Sequence, residues 1–163
     1  MSTYSGAFHS YFVIPRVAGS STFYPCDTRN DFPVACYRAY ISSKVVSSDF
    51  LVQTCRKVTD AHQRLGCFHA YGMLLSSTAA SSSGAPPLDS LCRSAGCMGD
   101  GEMRVCVEGA AGAINSYSPR EVRQRVCGAV SDSALRSACA EARDMKMNKD
   151  PALYFSVGPL LTP

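Results

Sequence analysis

The chain has no run of lysine and arginine longer than two residues, so its net charge of +3 is spread thinly. No basic stripe exists of the kind that neutralises a phosphate backbone, and nucleic acid is not an expected partner. No apolar stretch reaches the roughly 18 uncharged residues that a membrane-spanning helix requires, so no membrane span is expected. The chain has no C-x2-C pair, the usual mark of a structural zinc site, and no C-x-x-C-H, the mark of covalent haem. Gly109-Ala110-Ala111-Gly112 lacks the preceding strand and the following lysine of a nucleotide loop, and reads instead as a tightly packed helix crossing. Glu102, Glu108, Glu121 and Glu141 fall at scattered, exposed helical spacings, so no acid–base pair of carboxylates stands out. Neither a cofactor, a metal nor a small-molecule substrate is expected, and the chain does not read as an enzyme. Alternating apolar runs bounded by turns are missing as well, which argues against strands.

Cysteine stands out against these absences. Nine cysteines in 163 residues, spread along the chain, point to disulfides in an oxidising compartment rather than to one reactive site. A chain of this length fits one domain, or two very small ones, and covalent staples would supplement its modest core. Nine is odd, so one thiol remains. Cys97 is the candidate, flanked by Gly96, Met98 and Gly99 in a turn, with Arg93 or Arg104 placed to lower its pKa. It reads either as an unpaired thiol in an inserted loop or as a redox group. Cys92 and Cys97, with His69 or Cys106, offer the one conceivable metal set. Residues 1–19 begin polar and are interrupted by His9, Pro15 and Arg16, so a cleavable secretory signal is not expected there.

The cysteines lie in a repeat. Four segments align: from Cys26 to Cys36, Cys55 to Cys67, Cys92 to Cys106, and Cys127 to Cys139. In each, the first cysteine leads into a short polar stretch ending in aspartate (Asp31, Asp60, Asp100, Asp132), and the second follows five to seven residues later. Physically, one unit is a helix ending just after its first cysteine, an aspartate capping the next helix, and a second cysteine inside that helix. Small or aromatic residues follow the second cysteine, including Ala39, Ala70, Gly72, Gly109, Ala110 and Gly112, and these permit close stacking of hairpin on hairpin. Residues 6–11 copy residues 66–71 with alanine for cysteine, a degenerate half unit that places His9 and His69 in matching, half-buried positions. His62 is expected at the surface.

The fold class expected is therefore all-α: disulfide-stapled helical hairpins stacked as a short array, with extended N- and C-terminal arms. Helices are expected near 4–13, 34–43, 48–58, 61–77, 88–95, 102–115, 119–130 and 133–147, with Ser118 capping the helix that Pro119 opens. The Ser/Ala/Gly/Pro stretch 76–87 reads as a flexible loop between a first half, 1–75, and a second half, 88–148. Residues 149–163 are apolar but broken by prolines and should run extended. Phe12, Ile14, Phe23, Tyr24, Leu153, Tyr154, Phe155, Leu160 and Leu161 are more apolar surface than the core of so small a chain can serve, so these arms are expected to dock on partner subunits.

The spacing Cys26-x9-Cys36 followed by Cys55-x11-Cys67, with the local texture of residues 50–57, resembles the coiled-coil-helix-coiled-coil-helix family of mitochondrial proteins with twin CX9C motifs. The resemblance implies pairing between helices, Cys26 with Cys67 and Cys36 with Cys55, then Cys92 or Cys97 with Cys139 and Cys106 with Cys127. It further implies an accessory subunit of a respiratory complex in the intermembrane space. Only the first pair has nine intervening residues, and the polar breaks at Thr59-Asp60 and Ser131-Asp132 interrupt the helices that such pairing needs. The repeat itself is equally served by bridges closed within each unit. The functional expectation is a non-catalytic structural subunit of a larger protein assembly. The alternatives are a secreted or periplasmic helical repeat module for protein binding or filament formation, and a thiol redox protein acting through Cys97.

Overall fold

A computed structural model describes Cys26, Cys36, Tyr37, Gln53, residues 55–81 and residues 83–142. Among these the regular elements are helices and no strand occurs: α1 (Ala61–Ala80), α2 (Leu88–Ser94), α3 (Asp100–Tyr117), α4 (Arg120–Gly128) and α5 (Ser133–Glu141). The helices expected before residue 48, and both apolar arms, lie outside the described residues apart from a helical pair at Cys36 and Tyr37.

Local chemistry starts and stops these helices. Before α1, Asp60 is extended and its carboxylate accepts from the Gln63 N–H at 2.8 Å; before α5, Asp132 accepts from Leu135 N–H at 2.9 Å. Each such cap stabilises its helix by about 1 kcal/mol. Asp100 departs from the expected pattern. The N-cap of α3 is Gly99, and Asp100 is the first helical residue. The helix begins one residue early because the bonded cysteine stands seven residues after the cap in all three units, Asp60 to Cys67, Gly99 to Cys106 and Asp132 to Cys139. Asp100 then acts on the helix dipole, and the Glu102 carboxylate holds the entry to the helix, accepting from the Met98 N–H at 3.0 Å.

Two further expectations are corrected. Ser118 ends α3, its N–H donating to the Ile114 carbonyl at 2.8 Å, while Pro119 itself is the N-cap of α4. The stretch 76–87 is not all loop: α1 continues through Ala80, because the hydroxyls of Ser76 and Ser77 fold back on the carbonyls of Met73 and Leu74 and Ala79 is buried.

The hairpins α2–α3 and α4–α5 stack on α1, with α3 in the centre touching every other helix. The main interface is the crossing of α1 and α3. A Cβ placed on Gly72 would collide with the Cys106 carbonyl, and one on Gly109 with the His69 carbonyl, so the two backbones meet with no side chain between them. Around the crossing Phe68, Val105, Val107, Leu88, Ile114 and Val130 are fully buried. Since α1 belongs to the expected first half and α3 to the second, one core runs through both.

The crossing makes a specific demand on size. Gly72→Ala and Gly109→Ala should each lower stability by about 1–3 kcal/mol through forced separation of the helices. Gly128→Ala, whose Cβ would meet nothing within 4 Å, should leave stability unchanged or slightly raised. Urea midpoints of the three variants check this.

Candidate functional site

Eight of the nine cysteines are buried in four disulfides, Cys26–Cys36, Cys55–Cys67, Cys92–Cys106 and Cys127–Cys139. Every bridge closes within its own unit. The cross-helix pairing implied by the twin CX9C resemblance does not form, because the chain turns at Thr59-Asp60 and Ser131-Asp132 and lays each first cysteine against the second turn of its own partner helix. Cys92 and Cys106 are bonded to each other, which removes them from the conceivable metal set. Among the described residues no three His, Cys, Asp or Glu side chains gather as a metal centre would require.

Cys97 carries a free thiol, but not an accessible one: it is 3 % exposed. Burial first, then the nearby Glu102, pushes its pKa up to about 12, against a smaller opposing effect of Arg56. Neither Arg93 nor Arg104 activates it. The reason lies in register. Two residues before each cap stand Val58, Cys97 and Val130, all buried, so the thiol fills a slot that is elsewhere a valine. A buried neutral thiol is a poor nucleophile and redox group.

A second set of equivalent residues went unnoticed in the sequence. Arg64 and Arg136 each stand four residues after a capping aspartate. Arg64 Nη1 donates to the Val58 and Thr59 carbonyls at 3.1 and 3.3 Å, and Arg136 donates through Nε and Nη2 to the Val130 and Ser131 carbonyls at 2.9 and 3.3 Å. Each arginine thus locks the turn that precedes its own helix. The legible signal is the motif C-x2-V-[ST]-D-x3-R-x2-C, which occurs twice, at 55–67 and 127–139. Arg64 also reaches across to the next hairpin, pairing with Glu102 at 3.1 Å, and Arg56 donates to the Gly96 carbonyl at 2.6 Å. These close the seam between the second and third units.

The seam between the third and fourth units is closed differently. Met103 and Leu135 occupy the positions of Arg64 and Glu102, and they line an open groove of about 570 Å³ between α3 and α5. Arg93, Asp100, Asp132 and Glu141 form its rim. Nearby, Glu108 is held above the usual carboxylate range, chiefly by burial, and the Arg104 guanidinium at 2.9 Å partly offsets this. On the other side, Asp89 is buried in the first turn of α2 and accepts from the Ser131 N–H at 3.2 Å, tying unit three to unit four. A smaller cavity of about 430 Å³ opens between α4 and α5, lined by Arg120, Arg123, Gln124 and Arg136.

Among the expected site residues, the structure brings each cysteine pair together within its own unit. His69 is buried outright, in the crossing rather than half-exposed, and His62 is partly buried. His9 and the arm residues Phe12, Ile14, Phe23, Tyr24, Leu153, Tyr154, Phe155, Leu160 and Leu161 lie outside the described residues. No helix among the described residues is long and apolar enough to cross a membrane. The class defined is an all-helical array of disulfide-closed hairpins. No family model, no curated protein and no solved structure matches the chain.

Because Val58 and Val130 already show what the Cys97 slot accepts, Cys97→Val should change stability by less than about 1.5 kcal/mol. Native protein should also react with iodoacetamide at Cys97 far more slowly than urea-unfolded protein. Fast native labelling would contradict the buried placement.

Proposed function

We propose that this chain is a non-catalytic structural module that holds protein partners in an oxidising compartment. The observation that supports the reading best is the covalent closure of each Cys-paired unit: the bridges fix the shape of a small helical array. A preorganised shape of this kind binds at lower entropic cost than a flexible one. The partners are other protein subunits, reached through the exposed helix faces and the apolar arms at 8–25 and 150–163. Closure within each hairpin, rather than between helices, favours an extracellular or periplasmic repeat module over a respiratory-complex subunit of the intermembrane space. The thiol redox alternative is weakened by the burial of Cys97.

Each bridge closes a loop of 10 to 14 residues and stabilises by roughly 3 kcal/mol in the chain-entropy account. Helices as short as α2, α4 and α5 do not persist alone. Reduction should therefore abolish both the helical circular dichroism and partner capture, and a spectrum unchanged by reductant would remove the physical basis of the proposal. Deleting 150–163 should abolish assembly with co-purifying subunits while leaving the helical spectrum intact; unchanged assembly would remove the arm from the reading.

A further inference from the structure

The array repeats one seam and then leaves it unfinished. Arg64 shows the complete arrangement. Its guanidinium is positioned by the two turn carbonyls of its own hairpin, and it pairs with Glu102, a residue in the first turn of the next hairpin's long helix. Arg136 has the same place in the last described hairpin and the same two turn carbonyls, yet forms no ion pair among the described residues, and it is exposed. The face of α5 that bears it, with Ala140 one turn on, points away from α3, because Leu135 and Ala138 face the α3 groove. Across the small cavity from Arg136 stand Arg120, which has no partner among the described residues, and Arg123. Arg123 is itself held in place by the Ala140 and Ala142 carbonyls. Among the described residues that line this cavity none is acidic. A Cβ on Gly128, beside it, would meet nothing within 4 Å, so a neighbouring backbone has room to approach.

We infer that this end face, around Arg120, Arg123 and Arg136, is a docking surface for a helix of another polypeptide that presents carboxylates in its first turn, in the manner in which α3 presents Glu102 to Arg64. Carboxylates there are favoured twice, by the incoming helix's own dipole and by the fixed guanidinium groups. The inference rests on the scaffold reading above and names the partner chemistry for one face of it. The arm-deletion assay does not involve Arg120 or Gln124, so either can fail alone.

The test uses the full chain and, as probe, an N-acetylated alanine-rich helical peptide with glutamates in its first turn, beside the same peptide with glutamines there. Fluorescence anisotropy should show the glutamine peptide binding about five- to tenfold more weakly. The double variant Arg120→Glu with Gln124→Glu should weaken the glutamate peptide to a similar degree. These exposed positions, the first at the start of α4 where a carboxylate is tolerated, keep the fold intact. Arg93→Glu, in the other groove, should leave binding unchanged. Equal binding of the two peptides, or loss with Arg93→Glu and not with the double variant, overturns the assignment. Self-association abolished by the double variant would put a second copy on this face, and peptide binding that appears only after removal of 143–163 would put the chain's own end there. Either result overturns the assignment to a foreign helix.

Discussion

Each of the three described hairpins is built around one covalent constraint, a cystine whose second half stands seven residues after the helix's N-cap and whose first half lies at the end of the helix before it. Cys67, Cys106 and Cys139 all occupy that position. With the cap fixing where the second helix starts and the sulfur bridge fixing where the first one ends, the turn between them has little freedom left. The constraint matters because α2, α4 and α5 are 7, 9 and 9 residues long, too short to be stable in water without tertiary support. The bridges cut the entropy of the unfolded chain, and Asp60, Asp132, Arg64 and Arg136 satisfy the backbone groups that the turns would otherwise leave open.

Rigid hairpins still need joining, and the joints are chemically unequal. At the α1–α3 crossing the backbones touch through Gly72 and Gly109, and an ion pair and an arginine–carbonyl bond close the outer edge. One unit further on, a methionine and a leucine stand where the ion pair stood, and a groove remains. At the end of the described array the arginine returns without its carboxylate. A closed seam, an apolar seam and an open basic face thus follow one another on a common frame. That variation of surface on a constant frame is what the proposed partner-holding role would require, since the bridges keep the frame independent of what each face carries.

Much of this frame is legible in the residues. Aspartate a few positions before cysteine announces a capped helix at Asp60 and Asp132, and the glycines after Cys67 and Cys106 announce the close crossing. Asp100 misleads because it directly follows Gly99, and either residue could cap the helix. The choice of Gly99 depends on where Cys92 sits in space. The serines at 76 and 77 mislead for a related reason, since the same hydroxyls that favour turns can bond back to the preceding helical turn when a neighbour such as Ala79 is drawn into the core. The lock made by Arg64 and Arg136 is written in the sequence as a repeated motif, but its meaning requires knowing that the carbonyls five and six residues behind turn back toward the guanidinium.

By itself, then, the sequence determined the local grammar: short capped helices, small residues where helices meet, and a cysteine at each end of every turn. Those features depend on neighbours within about a dozen residues, which is why they can be read in order along the chain. Only the tertiary structure decided which cysteines join, that Cys97 is a core residue in a valine's slot, and which arginine finds a carboxylate. These are matters of distance and burial between segments far apart in the chain, and spacing alone leaves more than one arrangement open until the hairpins have stacked.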